Sequence, residues 1–315
     1  MFWRARRDTT TARAHARAAL VGNPSDGYGG RTIAFTFEEL HADVTVKPEK
    51  RLMVNADRGE AALLRAAYGR FAAHCIDAGV NPEPCALSVR STIPGELGLA
   101  GSSAIVIAAL RALCEYHGCE IHEPHLPTVA LAAEDDLDIP AGLQDRVAQV
   151  YGGLVYMDFE PRLLAADGHG RYERLDSELI DHAYVAWRPE AKVTSTRFHG
   201  ELRRRVRAGE RDVIDTLGQM ADLAASARTD LEQGDLEAAA AAVDANFDLR
   251  RRLGPLEEAH VEMVEVARAT GASANYSGSG GAICGFVPDD DTRGRLVDAL
   301  TGIGCSVIKP TLASS

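Results

Sequence analysis

The strongest constraint on the fold comes from residues 92–104, TIPGELGLAGSSA, which lead directly into the most apolar segment of the chain. That segment, residues 102–117, carries Ile105, Ala109 and Leu113 on one stripe of a predicted helix, so it should lie at the centre of a domain. Glycines let the backbone approach a bound anion closely, and the helix directs free N–H groups toward it. A phosphate-binding loop and an ordinary helix cap fit this run equally well, since helix N-termini favour Ser and Gly in general.

Two common phosphate-binding motifs are absent from the sequence. It has no GxxxxGK[ST] run, and neither residues 92–104 nor a second glycine run, residues 277–282, follows the dinucleotide pattern GxGxxG. A phosphate bound here would be held by backbone N–H groups and serine hydroxyls.

Charge and cysteine content limit the classes of partner. The 315 residues include 46 acidic and 34 basic ones, and the net charge of −12 argues against a broad surface for nucleic acid or an anionic membrane. No apolar run approaches membrane-spanning length. The six cysteines form no CxxC pair, which favours a reducing, cytoplasmic location. We therefore expect a small-molecule partner; the oligomeric state cannot be read from the sequence.

Strand and helix patterns mix without regular alternation, which predicts the α+β class. The sequence becomes polar and then strongly helical near Leu179, so we predict two domains, residues 1–178 and 179–315. The Arg-rich residues 4–17 are interpreted as an N-terminal extension, with a transit peptide as the alternative.

Three further local structures are predicted from the sequence pattern. Residues 32–37 and 42–46 alternate like two separate strands, residues 162–170 are typical of a surface hairpin, and residues 141–145 are typical of a turn.

Four segments, residues 22–30, 94–104, 142–145 and 277–282, together resemble the signature set of the GHMP kinase superfamily. The runs GNPSDGYGGRTI, GLAGSSAIV and AGLQDRVAQVYGGLVYMDF are similar to segments of the glucuronokinase family. The resemblance implies an N-terminal domain like ribosomal protein S5 domain 2, a ferredoxin-like C-terminal domain, and an active site between them.

The resemblance also implies that ATP is the phosphoryl donor and that the two glycine runs surround its phosphates. The residues implied are Pro94, Gly98, Leu99, Ala100, Gly101, Ser102, Ser103, Ala104, Ser277, Gly278, Ser279 and Gly280. Phosphoryl transfer mostly needs positioning and charge neutralisation, which backbone amides and a metal can supply without a lysine.

A magnesium ion is implied at Ser103 and Glu134. Mg²⁺ keeps several waters, so one hydroxyl and one carboxylate are enough protein ligands. Judged from the residues alone, Glu134 also fits a solvated acid on a helix face, beside Asp135 and Asp136.

The implied catalytic residues are Asp145, as the base that accepts the proton of a sugar hydroxyl, and Arg17, near the transferring phosphoryl group. Outside the resemblance, Asp145 fits a turn or capping residue equally well, and Arg17 fits a surface position on a strand.

In the first loop, residues 22–30, the resemblance implies that Asn23, Ser25, Asp26 and Tyr28 contact the sugar. A sugar carboxylate needs a basic partner, ideally a guanidinium. The candidates are Arg31, Arg146, Lys192 and Arg197, of which Arg31 follows the first loop and Lys192 begins a run that resembles plant enzymes.

The expected function is therefore an ATP- and Mg²⁺-dependent kinase of the anomeric hydroxyl of D-glucuronate. The alternatives are another GHMP sugar kinase, acting on galacturonate, a heptose or a neutral hexose, and a non-catalytic sugar- or nucleotide-binding regulator.

Overall fold

The computed structural model of the protein describes residues 9–139, 141–191 and 195–313. Its first six strands form one mixed sheet in which all pairs are antiparallel except β3 with β4. These strands are β1 (Thr10–Val21), β2 (Arg31–Pro48), β3 (Met53–Asn55), β4 (Cys85–Ser91), β5 (Leu154–Asp158) and β6 (Arg171–Leu175).

The long hairpin of β1 and β2 is the frame of this sheet. Strand β2 pairs with β5 along residues 31–35 and with β4 along residues 42–48, and irregular register with β1 near His15 bends it between these two halves. The two predicted strands are therefore one bent strand. Bulges of this kind bend a strand without ending it.

Strand β1 begins at Thr10, so the prediction of an N-terminal extension over residues 4–17 is wrong for residues 10–17. The reason is that buried and outward-facing residues alternate every two positions along the first part of β1, a pattern that the arginines obscure in the sequence. Ala14 and Ala16 are buried, while Arg13 lies on the other face and pairs with Asp43 of β2 at 2.7 Å.

Five helices accompany the first sheet: α1 (Arg58–Asp77), α2 (Gly101–His117), α3 (Leu126–Asp135), α4 (Gln144–Tyr151) and α5 (Pro161–Asp167). Helix α2 is buried on most of its circumference, as its apolar sequence predicts, and it packs against β1, β2 and α1. The hairpin predicted over residues 162–170 is wrong, because α5 occupies most of it. Pro161 stands at the first position of this helix and Gly168 ends it in the left-handed conformation.

The second sheet is antiparallel, with the order β10-β7-β9-β8. Its strands are β7 (Ala183–Trp187), β8 (Asn275–Tyr276), β9 (Ala282–Phe286) and β10 (Ser306–Ile308). The remaining helices are α6 (Ser195–Arg207), α7 (Arg211–Glu232), α8 (Leu236–Leu253), α9 (Glu258–Ala269) and α10 (Asp290–Gly302). The α+β class is confirmed; the boundary at 178/179 stays a prediction, although the strands on its two sides belong to different sheets.

The two sheets are joined through a common core and through the C-terminal segment. Cys284 and Phe286 of β9 belong to the same apolar cluster as the first sheet. Residues 311–313 return to that sheet, where the N–H of Ala313 donates to Thr36 at 3.0 Å and its carbonyl accepts from Gly153 at 2.7 Å. Within the described ranges, no helix combines the length and apolarity needed to cross a membrane.

Candidate active site

A cleft of about 700 Å³ opens between the two sheets and is lined by segments far apart in sequence. Four loops contribute to it, at residues 23–28, 93–102, 141–146 and 278–279, together with the first turn of α1 and one residue of α6. The four loops are those that carry the GHMP-like motifs.

The two glycine loops touch each other backbone to backbone. A Cβ atom on Gly278 would lie 2.4 Å from the carbonyl oxygen of Gly98, and one on Gly98 would lie 2.8 Å from that of Gly280. Gly98 also has a φ of +67°, which favours glycine on its own account. The contact therefore requires glycine on both sides, and it places the N-terminus of α2, with Gly101 and Ser102, on the cleft wall.

Ala100 caps α2 in a left-handed conformation, with φ of +63°. Such a conformation costs a non-glycine residue on the order of 1 kcal/mol. It stands between Leu99 and Gly101 in the loop that faces the cleft.

The turn predicted over residues 141–145 is wrong for Gln144 and Asp145, because α4 already begins at Gln144. Asp145 lies in the first turn of this helix and faces the cleft. Its Oδ1 is 2.7 Å from Nη2 of Arg17, and its Oδ2 is 3.7 Å from Nη1 of Arg146. Burial opposes ionisation, but the two guanidinium groups outweigh it and hold the pKa of Asp145 below its ordinary value. Asp145 is therefore an ionised carboxylate at neutral pH, able to accept a proton.

Arg17 links this carboxylate to both glycine loops. Its Nη1 donates to the carbonyl of Ser277 and, at 3.5 Å, to that of Gly98. The side chain is nearly inaccessible to solvent, at 3% exposure, so it is not the surface strand residue of the alternative interpretation.

Asp26 also lines the cleft and lies close to Asp145. Its Oδ2 accepts the backbone N–H of Gln144 at 3.3 Å, and Gly142 passes so near that a Cβ there would lie 1.9 Å from this oxygen. Burial and the neighbouring charge of Asp145 raise the pKa of Asp26 to about 6. Two carboxylates with pKa values moved in opposite directions thus face one space.

Glu134 is fully buried and forms an ion pair with Arg146, whose Nε and Nη2 both donate to its Oε2, the former at 2.7 Å. The alternative of a solvated acid is therefore wrong for Glu134. Its Oε1 is buried and has no hydrogen-bond partner in the described part of the chain.

The structure does not place the two predicted magnesium ligands on the cleft wall. Ser103 is buried and its hydroxyl donates to the carbonyl of Ala100 at 3.2 Å, whereas the neighbouring Ser102 lines the cleft. No group of three or more acidic, His or Cys side chains suited to a metal occurs among the described residues. Mg²⁺ needs only one or two protein oxygens, and the free Oε1 of Glu134 fits this requirement.

The predicted site residues fall into two groups. Those that line the cleft are Arg17, Asn23, Asp26, Tyr28, Pro94, Gly98, Leu99, Ala100, Gly101, Ser102, Asp145, Gly278 and Ser279. Those that the structure places behind its wall or elsewhere are Ser25, Arg31, Ser103, Ala104, Glu134, Ser277 and Gly280.

Ser25 and Arg31, the two described residues predicted to contact the sugar that do not line the cleft, have structural roles. The Ser25 hydroxyl donates to the carbonyl of Arg31 at 3.0 Å, and the Arg31 guanidinium pairs with Asp158 at 3.2 Å and Asp222 at 3.5 Å. Both are thus engaged away from the cleft. Lys192 lies outside the described residues, and the side chain of Arg197 lies outside the described part of the structure as well.

Two polar side chains on α8 support the first loop and were missed from sequence. Asn246 accepts the N–H of Gly22 at 2.8 Å, and Arg250 donates to Oδ1 of Asn23 at 2.7 Å. Since arginine only donates, it fixes the amide orientation and leaves the NH₂ group of Asn23 free to donate. A spacing of four residues on a buried helix face was the available signal.

Arg203 of α6 lines the cleft beside Tyr28, and no sequence pattern indicated it. At another part of the wall lie the apolar side chains of Leu63, Ile93 and Ile105. Apolar lining of this kind suits the flat ring of a ligand.

Comparison with known proteins agrees with this geometry. Residues 61–153 match the family model described as the GHMP kinases N terminal domain, and residues 227–304 match that of the GHMP kinases C terminal domain. Glucuronokinase 1 of Arabidopsis thaliana is 34% identical to this chain over 316 residues, covering 91% of this chain and 87% of the relative. Probable glucuronokinase 2 of the same plant is 35% identical, with 91% and 86% covered.

The fold itself is shared with solved kinases of low sequence identity. Phosphomevalonate kinase of Streptococcus pneumoniae, in complex with phosphomevalonate and AMPPNP, superposes with a TM-score of 0.81 at 13% identity, covering 97% of this chain and 99% of that one. Two matching family models, relatives above 30% identity along most of the chain and a shared two-domain fold lead to one conclusion. The chain belongs to the GHMP kinase family and is a sugar kinase, a phosphotransferase with an alcohol group as acceptor.

Proposed function

We propose that the protein transfers the γ-phosphoryl group of ATP to the anomeric hydroxyl of D-glucuronate and releases glucuronate 1-phosphate. The observation that carries the chemistry is the Asp145–Arg17 pair, 2.7 Å apart, between the glycine loops and the first loop. The similarity along 91% of the chain to the plant protein named Glucuronokinase 1 supports the choice of sugar.

The proton of the sugar hydroxyl passes to Asp145. The carboxylate is ionised, lies on the cleft wall, and is oriented by Arg17, which holds one oxygen and leaves the other toward Arg146 at a longer distance. As the hydroxyl oxygen forms its bond to phosphorus, its proton moves to this carboxylate and the bond from phosphorus to the leaving ADP oxygen breaks. Because Arg17 also bonds to both glycine loops, it fixes the position of the base relative to the phosphates.

The sugar is held by side chains with complementary hydrogen-bonding roles. The ionised form of Asp26 accepts hydroxyl hydrogens, and the Asn23 amide, locked by Arg250, donates its N–H bonds. Gly142 is needed next to Asp26 because any larger residue would displace the carboxylate.

The phosphates of ATP are held by the backbone of the two glycine loops and by the hydroxyls of Ser102 and Ser279. Preorganised N–H groups stabilise developing negative charge without having to reorient during the reaction. The apolar side chains of Leu63, Ile93 and Ile105 provide the surface for the nucleobase.

A magnesium ion fits the remaining chemistry, with Glu134 as its carboxylate and Ser102 or Ser103 as its hydroxyl. When bound, it would neutralise phosphate charge. The buried, unpartnered Oε1 of Glu134 supports this role, because a carboxylate oxygen without a partner is costly unless a cation or donor joins it.

The test is an ATP-consumption assay with the purified protein and a panel of sugars: D-glucuronate, D-galacturonate, D-glucose, D-galactose and a heptose. We expect kcat/KM for D-glucuronate to exceed that for every other sugar by at least about tenfold, a difference of about 1.4 kcal/mol in transition-state binding. Phosphorus NMR should show the product as a 1-phosphate. Turnover of neutral sugars without turnover of uronic acids would eliminate the proposed substrate, and sugar binding without any turnover would favour the regulator.

A further inference from the structure

Three arginines line the cleft in the described structure, and two of them are already neutralised. Arg17 pairs with Asp145, and Arg146 pairs with Glu134 and, at longer range, with Asp145. Neither guanidinium is left unpaired for a substrate anion, since each already pairs with a protein carboxylate.

Arg203 differs from both. Over the ranges that the structure describes, it has no carboxylate within ion-pair distance, and it lines the cleft next to Tyr28. Its neighbours in the RRR run are engaged elsewhere: Arg204 pairs with Glu201 at 2.6 Å, and Arg205 pairs with Glu210 at 2.6 Å. Of three consecutive arginines, only the one that faces the cleft is left without a protein anion.

The part of the cleft near Arg203 is negatively charged. Asp26 and Asp145 place two carboxylates in this part of the cleft, and the protein carries a net charge of −12. An anionic sugar would be repelled there unless a positive group met its carboxylate.

Two other guanidinium groups near residues 22–30, those of Arg31 and Arg250, are excluded by their contacts. Arg31 is bonded to Asp158 and Asp222 outside the cleft. Arg250 lies behind Asn23, fully buried, and donates to its side chain. Arg203 is thus the described guanidinium that is both free and accessible from the cleft.

We infer that Arg203 binds the carboxylate of the sugar substrate and makes the enzyme prefer a uronic acid to a neutral hexose. This inference rests on the proposed function. The planar guanidinium fork matches a carboxylate with two parallel hydrogen bonds, which lysine cannot reproduce. Because α6 belongs to the second half of the chain and Asp26 to the first, the substrate would contact both.

The test compares Arg203→Gln and Arg203→Lys with the matched control Arg204→Gln, which removes a charge from the same helix and leaves the cleft unchanged. We expect Arg203→Gln to lower kcat/KM for D-glucuronate by about 10- to 150-fold, the range for a lost hydrogen bond to a charged group. Most of the change should appear in KM for the sugar acid. KM for ATP and kcat/KM for D-glucose should stay within about twofold, Arg203→Lys should fall between, and Arg204→Gln should match the wild type.

The outcomes separate this inference from the proposed function. If the wild type prefers D-galacturonate and Arg203→Gln loses that activity, Arg203 keeps its role and only the identity of the sugar is wrong. If the wild type uses D-glucuronate and Arg203→Gln is unchanged, or loses glucose and glucuronate activity equally, the role of Arg203 is overturned and the proposed function stands. Circular dichroism of each variant checks folding, which this exposed position should not disturb.

Discussion

The cleft has two ends that are built from different materials. The end proposed to bind phosphate, called the phosphate end below, is mostly backbone, where Gly98 and Gly278 touch and Ala100 adopts a left-handed conformation. The end proposed to bind the sugar, called the sugar end below, carries charged side chains, with Asp26 and Asp145 on its walls and Arg17 between Asp145 and the glycine loops. Changes of charge should therefore affect the sugar end most, and changes of backbone shape the phosphate end.

The largest effect is expected for Asp145→Asn, which removes the proton acceptor and keeps its shape. We expect kcat to fall by about 10²- to 10⁴-fold, the usual contribution of a positioned general base, while KM for ATP stays close to that of the wild type. Steady-state kinetics with D-glucuronate and ATP measure both.

The matched control is Asp136→Asn, since Asp136 pairs with Arg70 on the surface. It should retain full activity. Unchanged turnover in Asp145→Asn would remove the assignment of the base and, with it, the chemical role of the sugar end.

The next effect concerns Asp26 and is visible in pH dependence. Asp26 has a pKa of about 6 in the folded protein, against about 4 in an unfolded chain. Between these values the folded state binds more protons, so the free energy of unfolding decreases as pH rises from 4 to 6 and stays lowered above that. Activity should also decrease as pH falls below about 6, because the protonated Asp26 accepts sugar hydrogens less well.

Asp26→Asn should raise the free energy of unfolding at high pH and lower the activity toward the sugar. Its free energy of unfolding at pH 8 should be higher than that of the wild type by roughly 1–3 kcal/mol, while kcat/KM for the sugar falls about 10- to 100-fold. Denaturant unfolding at pH 4 and pH 8 provides the comparison. If the difference in the free energy of unfolding between Asp26→Asn and the wild type is the same at pH 4 and at pH 8, the pKa of Asp26 is not raised.

The phosphate end is tested by Gly278→Ala. The added methyl group would lie 2.4 Å from the Gly98 carbonyl oxygen, so the loops must separate. We expect a loss of stability of about 1–3 kcal/mol and a rise of about tenfold in KM for ATP, with KM for the sugar little changed.

Gly69→Ala is the matched control, because Gly69 lies within α1 and a Cβ there meets nothing within 4 Å. It should raise stability by roughly 0.5–1 kcal/mol, as alanine does within a helix. If both alanine variants behave alike, the contact between the two loops does not matter for ATP.

The smallest effect is expected for Ala100→Gly. Glycine relieves the left-handed conformation but adds freedom to the unfolded chain, and these opposing terms are each about 1 kcal/mol. Stability should therefore change by less than about 1 kcal/mol, and KM for ATP by less than about threefold. Ala100→Val forces a β-branched residue into the same conformation, and it should lose stability instead.

The sequence was most informative where function depends on the backbone. Residue type marked the loop around Gly98 as a candidate phosphate loop, but it fitted an ordinary helix cap equally well, and the resemblance decided between the two; the contact with Gly278 appears only in the structure. The proposed catalytic pair required the resemblance, because nothing in the spacing of Arg17 and Asp145 indicates that strand β1 brings them within 2.7 Å of each other.

The sugar end could not be predicted fully because helices from the second half of the chain complete it. Arg250 supports Asn23 across more than 220 residues, and Arg203 differs from Arg204 only in the direction that it faces on α6. Arg31 is instead predicted to contact the sugar, but the structure places it outside the cleft. It follows the first loop in sequence, but it is neutralised by Asp158 of β5, its register partner.

The return of residues 311–313 to the first sheet has a consequence for how the molecule comes apart. The last described residues hydrogen-bond to Thr36 of β2 and to Gly153, so separating the two halves of the chain breaks backbone hydrogen bonds at the first sheet. Cutting the chain at 178/179 should not yield two autonomous folding units, and thermal denaturation should proceed as one cooperative transition in spite of the two sheets. During synthesis from the N-terminus, residues 311–313 would be the last described part of the chain to join the first sheet.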